Sequence, residues 1–323
     1  YCFPEVNISS SLTNDNNINN YSNSPGTAVT RYLGVKDILT DNGNTSGNIF
    51  NPYRLRQTRN GQNIVTLNYN NNPHNTTTDF ESLASDFTDN DNNWTASEFE
   101  LSNDNAALDV QYNMQIVSDY WLNVHNRTGW DNNGGKILSY VHVTENKYTS
   151  NGTFISQNYM PNAFWNKGSI HFGDGTGNFD ESNPYTTLDI CGHEYGHAIT
   201  ETTSSLVYQW ESGAINESFS DIWAACITNY AKLHYGSMPG ELTWRVAEKC
   251  ENLKLPHAGF RDMANPALFF HPSTYKNLFW KPASLTTCND FKTTDNCGVH
   301  TNSGVLNKWF YLITEGESSI NSF

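Results

Sequence analysis

The residues best able to do chemistry sit in one pentad, His193-Glu194-Tyr195-Gly196-His197. On an α-helix, residues four apart project from one face, so both imidazoles can reach a single ion. Neutral imidazole nitrogen suits zinc, and three protein ligands would leave a fourth position for water. Two surface histidines on an ordinary helix give the same pattern, so a third ligand has to be found. Glu217 lies twenty residues past His197, within Gly213-Ala214-Ile215-Asn216-Glu217-Ser218-Phe219-Ser220-Asp221. A break at Ser212-Gly213 would let a second helix run back, presenting Glu217 as third ligand and Asp221, one turn on, as an acceptor behind the ligands. The plain alternative is an amphipathic helix with exposed acids. Farther along, Asp295-Asn296-Cys297-Gly298-Val299-His300-Thr301-Asn302-Ser303-Gly304 supplies another histidine with a carboxylate nearby.

These residues need elements to position them. Residues 1 to about 104 are crowded with Asn, Ser, Thr and Asp and carry short alternating runs such as Ile64-Val65-Thr66-Leu67-Asn68-Tyr69, which predict exposed strands and long turns. Val110, Met114, Val117, Trp121 and Val124 recur at the spacing of one helical face and predict a core helix near 105–125. Ile137 to Val143 alternates like a strand, a glycine-rich turn follows around Gly173-Asp174-Gly175, and the pattern becomes helical from about 186. The expected architecture is α+β in two lobes, with residues 1–185 the β-rich lobe and residues 186–323 the helical one.

Composition narrows the partners. With 18 basic and 33 acidic side chains among 323 residues the formal charge is −15, which argues against nucleic acid or anionic lipid as partner. No apolar run approaches the roughly 20 residues needed to cross a bilayer. The opening Tyr1-Cys2-Phe3-Pro4 reads as the start of a processed form, and the acidic, Asn-rich, Lys-poor composition predicts a secreted, extracellular protein. Six cysteines are too scattered for a disulfide scaffold; only Cys288 and Cys297 look like local partners, while Cys191 and Cys226 read as buried thiols.

From about Ala106 onward the chain resembles the thermolysin-like neutral zinc metalloproteases, the gluzincin endopeptidases. Three blocks match in order and spacing: the pentad, the Glu217 segment and the His300 segment. Asn162-Ala163-Phe164-Trp165 and Tyr208-Gln209-Trp210-Glu211-Ser212-Gly213 match as well. The resemblance implies a two-lobed zincin fold, with zinc in the cleft held by His193, His197 and Glu217, and protein and peptide substrates. It implies Glu194 as general base, His300 and Tyr208 as donors to the oxyanion, and Asp295 as the group orienting His300. Asp221 and Asn216 would fix the tautomers of the ligating histidines. Asn162 and Ala163 would bind an extended peptide through their backbones, Arg261 would hold a substrate carbonyl, and Ile190, Val246 and Phe260 would line an apolar pocket after the scissile bond.

Two departures from that family are expected. Its calcium ligands beside the active-site helix are reduced to Asp189 and Glu248, with Thr228, Thr243 and Arg245 at other positions, so the double calcium site is expected to be absent, with the Arg245 guanidinium pairing with Asp189 or Glu248 in its place. An insertion around Asn265 to Cys288 is expected to be pinned by a Cys288–Cys297 bridge. The helical lobe is expected to be incomplete at its C-terminal end, because Val305, Trp309 and Leu312 and also Leu306, Phe310 and Ile313 would give the last helix two apolar faces, and a separate C-terminal fragment would cover them. The alternative from another functional class is a catalytically silent zinc-containing adhesion or binding module. Glu194 argues against it, since binding alone does not need that acid. An exopeptidase ranks lower, because no amine-anchoring segment is found.

Overall fold

A computed structural model describes residues 21–43, 52–74, 80–95, 104–148, 154–177, 182–236, 238, 243–251, 254, 257–282 and 291–316. The chain forms two compact units, residues 1–174 and 175–323.

The first unit holds two sheets. Strands β1 (Asn23–Thr30), β2 (Gly34–Asn42), β3 (Tyr53–Arg54), β7 (Thr88–Asp89) and β8 (Asn93–Trp94) form one, in the order β7-β3-β2-β1-β8. The other has the order β11-β12-β9-β5-β4, built from β4 (Arg56–Arg59), β5 (Gln62–Asn68), β9 (Ile137–Tyr148), β11 (Ala163–Asn166) and β12 (Ser169–Gly173). Strand β6 (Ser85–Asp86) adds to β5, and β10 (Phe154–Tyr159) adds to β9. A one-turn helix α1 spans Phe80–Leu83 and a long helix α2 spans Asn105–His125. The Ile64–Leu67 run is not an exposed strand as expected. It is central, paired in parallel with β9, and Ile64, Val65, Thr66 and Leu67 are all buried. A strand buried on both faces has no reason to alternate.

Helix α2 buries the expected Val110, Met114, Val117 and Trp121, whereas Val124 near its end is exposed. The polar side chains of α2 are buried too, because they serve the sheets. Gln111 accepts from Thr66 Oγ1 (2.9 Å) and donates to Leu39 O (3.1 Å), tying one residue of each sheet to the helix. Gln62 donates to Ser118 Oγ (2.6 Å). The helix ends where Asn126 turns left-handed (φ 51°) and its N–H caps Leu122 O.

Strand β9 carries one extra residue opposite β12, between the pairs Tyr140–His171 and Val143–Gly173. His142 lies in this bulge in the left-handed region (φ 61°). Its Nδ1 meets both oxygens of Asp174 (2.8 and 3.0 Å), and its Nε2 meets Asp104 Oδ1 (3.0 Å), just ahead of α2. Burial pulls the His142 pKa down, but hydrogen bonds and charge from Asp104 and Asp174 outweigh it and raise it to about 9.

In the second unit the pentad lies on α3 (Leu188–Thr202), which packs along α4 (Trp210–His234). Ser212-Gly213 does not break the chain as expected. Both residues lie in the first turn of α4, and the connection is residues 203–209. Gly213 is needed for contact: a Cβ there would come within 2.4 Å of Val299 Cγ1. Strands β13 (Arg245–Val246) and β14 (Arg261–Asp262) form a short antiparallel pair, followed by a 3-10 turn at Pro266–Phe269. Arg245 pairs with Asp262 (2.9 Å) rather than with Asp189 or Glu248, because β13 and β14 set Arg245 directly opposite Asp262. The last of the described elements are a kinked helix α5 (Phe291–Asn302) and helix α6 (Gly304–Glu315). Leu306 and Phe310 pack on Ile222, Ala225 and Met263, whereas Trp309 and Ile313 are exposed. Cys297 is disulfide-bonded; its expected partner Cys288 lies outside the described residues. No helix among the described residues is long and apolar enough to cross a membrane.

The Asp104–His142–Asp174 triad predicts a pH dependence. A histidine whose pKa rises from 6.5 to about 9 on folding stabilises fully below about 6.5, and that stabilisation is lost as pH rises through about 9. Denaturant unfolding of the first unit's signal should therefore show stability falling between those limits. His142→Gln should flatten the slope; an unchanged slope would refute the assignment.

Candidate metal centre

Helix α3 presents His193 and His197 on one face, and α4 brings Glu217 against them. The close approach depends on small residues. A Cβ on Gly196, inside the pentad, would lie 2.8 Å from Ser220 Cα, and one on Gly192 would lie 3.1 Å from Ile227 Cδ1 and 3.2 Å from Ala224 Cα. Glycine costs about 1 kcal/mol against alanine in a helix interior, and here it sets the helix spacing.

The Nε2 atoms of His193 and His197 face each other at 3.1 Å. Glu217 Oε2 is 3.5 Å from His193 Nε2, and Oε1 is 3.4 Å from His197 Nε2. Both tautomers are set from behind. His193 Nδ1 is 2.8 Å from Asp221 Oδ1 and His197 Nδ1 is 2.8 Å from Asn216 Oδ1, so each Nδ1 carries a proton and each Nε2 is aimed at the space between the rings and Glu217. Two imidazole nitrogens and a carboxylate converging in a buried space need a cation between them, supplied either by a proton on His193 Nε2 or by a metal ion that displaces it. Glu217 Oε2 is buried and has no hydrogen-bond partner, as a metal ligand waiting for its ion would be. The three side chains form the one group among the described residues whose donor atoms could hold a metal, and the donor set fits zinc.

Electrostatics point the same way. Burial pushes the Glu217 pKa up, but His300, His193 and His197 outweigh it and hold the carboxyl well below its ordinary range. Burial lowers the His193 pKa, and Asp221 and Glu217 overcome that and raise it to about 10; His197, with weaker support, is lowered. Asp221 is depressed against its burial, chiefly by Arg261. The buried site thus holds two carboxylates as anions, Asp221 matched by Arg261 and Glu217 by the surrounding imidazoles.

Around this centre the structure gathers most of the predicted residues of the second unit. Glu194 is buried on α3 between the two histidines in sequence. Tyr208, in the connection before α4, donates its hydroxyl to Glu217 Oε1 and lies 3.1 Å from His300 Nε2. His300 Nε2 is 3.3 Å from Glu217 Oε1. His300 owes its place to four successive left-handed residues, Asp295, Asn296, Cys297 and Gly298 (φ 52°, 46°, 69° and 80°). Each non-glycine residue there costs about 1–2 kcal/mol. The kink folds Asp295 back onto the following turn: its Oδ2 accepts the N–H groups of His300 and Thr301 (both 3.1 Å), and its Oδ1 pairs with His300 Nδ1.

Ile190 lies one turn before His193 on α3, buried. Val246 and Arg261 face each other across β13 and β14, and Phe260 N–H bonds Val246 O (2.9 Å), so these three meet through the strand pair. Arg261 is buried, and its Nε and Nη2 grip the two oxygens of Asp221 (2.7 Å each). That bidentate hold on Asp221 was not legible in the sequence. Nor was Asn307, which donates to the same carboxylate; its one sequence signal is a polar residue amid the apolar run of α6.

Asn162 and Ala163 belong to the first unit. Asn162 O accepts Gly173 N–H (3.0 Å), and Ala163 opens β11, the edge strand of its sheet.

Residues 26–201 match the family described as thermolysin metallopeptidase, catalytic domain, and residues 204–322 match its alpha-helical domain. The chain is 36% identical over 231 residues to the thermostable neutral protease NprT of Geobacillus stearothermophilus, covering 71% of this chain and 35% of that protein. It is 35% identical over 266 residues to bacillolysin of Brevibacillus brevis, 82% of this chain and 40% of the relative. Thermolysin of Alicyclobacillus acidocaldarius subsp. acidocaldarius matches at 35% over 221 residues, 68% and 34% respectively. The chain thus spans between about a third and two fifths of the length of these curated relatives. Among solved structures, the precursor of protealysin, a metalloproteinase from Serratia proteamaculans, shares the fold with a TM-score of 0.55 at 23% identity, covering 79% of this chain and 70% of that one.

The glycine spacing makes a direct prediction. Gly196→Ala should push α4 off α3, costing about 1–3 kcal/mol of stability and weakening zinc binding with it. Gly192→Ala, whose nearest contact is a side-chain methyl, should be milder. Thermal melts with and without added zinc read both effects; a Gly196→Ala protein that binds zinc as tightly as wild type would contradict the account.

Proposed function

The chain belongs to the thermolysin metallopeptidase family, and from that premise we propose that it is a zinc endopeptidase that cuts internal peptide bonds of proteins. The observation that carries the proposal is the pair of facing Nε2 atoms, each ring held from behind at Nδ1, with a buried Glu217 Oε2 that accepts no hydrogen bond beside them. Zinc held by His193, His197 and Glu217 would supply a Lewis acid that acidifies a water and polarises the scissile carbonyl. Glu194 would take the proton from the attacking water and pass it to the leaving amine. His300, oriented by Asp295, and Tyr208 would donate to the oxyanion of the tetrahedral state.

On the substrate side, the edge position of β11 supports the reading that the Asn162–Ala163 backbone pairs with an extended peptide, since an edge strand has free backbone groups to offer. Ile190, Val246 and Phe260 are apolar; Asp189, beside Ile190, bonds Ala247, beside Val246, and Phe260 bonds Val246, which supports an apolar pocket that favours bulky hydrophobic residues just after the cut. Arg261 as the holder of a substrate carbonyl has weaker support, because its guanidinium is already committed to Asp221.

Export to the extracellular space is proposed on composition and on the disulfide at Cys297, which needs an oxidising compartment. Absence of the double calcium site is proposed because Asp189 is already occupied: Oδ2 accepts Ala247 N–H (2.6 Å) and Oδ1 accepts Thr187 Oγ1.

Digestion of an unstructured protein, with internal cut sites read by mass spectrometry, tests the function. Cuts should fall before Leu, Phe or similar residues and stop with a zinc chelator; cuts before Lys, Arg or Gly would exclude the pocket. Glu194→Gln should keep zinc and lose several orders of magnitude in rate, and zinc loss or near-normal hydrolysis would refute its role. His300→Ala should lose about 100-fold to 1000-fold. Calcium elsewhere in the chain is compatible with this reading, so the test is local: the shift in melting temperature caused by a calcium-selective chelator should be the same in Asp189→Asn as in the unaltered protein, and a smaller shift in the variant would restore the calcium site.

A further inference from the structure

We propose that Asn307 is a positioning residue for the metal centre: it holds the second oxygen of Asp221 and, through it, the imidazole of His193. The inference rests on the reading of His193, His197 and Glu217 as metal ligands.

Asp221 is fully buried and each of its oxygens receives two donors. Oδ1 takes His193 Nδ1 (2.8 Å) and Arg261 Nη2 (2.7 Å); Oδ2 takes Arg261 Nε (2.7 Å) and Asn307 Nδ2 (2.7 Å). Asn307 comes from α6, a helix that carries no ligand. The direction of its amide follows from chemistry: a carboxylate only accepts, so the NH2 group must face Asp221, and the carbonyl oxygen then accepts from Ser218 Oγ (2.6 Å). Ser218 is the residue after Glu217. One carboxamide therefore touches the turn of α4 that carries both Glu217 and Asp221. The same turn of α6 is tied the other way, since Asn307 N–H bonds Ser303 O (3.0 Å) and Ser303 Oγ bonds His300 O (2.6 Å).

Without the Asn307 donor, Asp221 Oδ2 keeps only the guanidinium. The carboxylate is then free to rotate toward Arg261, and the His193 Nδ1–H bond that aims the Nε2 lone pair is loosened. Removing a direct partner of a ligand lowers metal affinity about 10–100-fold, and one bond farther out the low end, about 10-fold, is expected.

A purely structural role would be to glue α6 to α4, and Ser218→Ala separates the two by deleting that glue while leaving the Asp221 contact. Zinc affinity by chelator competition should fall about 10-fold in Asn307→Leu, which keeps the side-chain volume, and less than about twofold in Ser218→Ala. The Nδ1 proton of His193, followed by NMR, should exchange with solvent faster in the Asn307 variant than in the unaltered protein or in Ser218→Ala. Asn307→Ser serves if the leucine protein does not fold. Wild-type affinity in the Asn307 variant, or equal losses in both variants, would overturn the proposal. Failure of the unaltered protein to bind zinc stoichiometrically would instead remove the metal-centre reading on which the proposal stands.

Discussion

Two carboxylates, Glu217 and Asp221, sit one turn apart on α4 with essentially no exposure, and the second unit is organised around keeping both ionised. An unpaired buried charge costs several kcal/mol, so every neighbouring element contributes a compensating group. Strand β14 brings Arg261, α3 brings His193, α6 brings Asn307, and the turn after the α5 kink brings His300. The difference between the two acids lies in how completely they are satisfied. Asp221 has all its acceptor positions filled, so it can only orient. Glu217 keeps an oxygen without a donor, so it can bind.

Helix spacing and backbone strain are the means by which those groups arrive. Gly196 and Gly192 let α3 and α4 approach until the imidazoles and Glu217 converge, and Gly213 lets the Val299 side chain, next to His300, press on the first turn of α4. The run of left-handed residues from Asp295 to Gly298 is costly in isolation. It is held by the bonds Asp295 makes to His300 and Thr301, so the strain and the orientation of His300 are one feature. The first unit uses a comparable device, where a bulge in β9 turns His142 between Asp104 and Asp174.

The sequence by itself determined what depends on short, local periods. A four-residue separation on a helix puts His193 and His197 on one face whatever the rest of the chain does, and the Val110-to-Trp121 spacing likewise makes α2. Glu217 as the candidate third ligand and the Asp295–His300 pair were legible because each lies within a block whose residue types already form a set. What only the tertiary structure decided concerns partners far apart in the chain. Arg261 and Asn307 reach Asp221 across 40 and 86 positions, and Arg245 takes Asp262 rather than Asp189, because strand pairing and helix packing choose among many chemically equivalent acids and donors. The same holds for Gly213, which reads locally as a breaker yet lies inside a helix: a missing side chain can signal either freedom of the backbone or closeness of a neighbour, and only packing tells them apart.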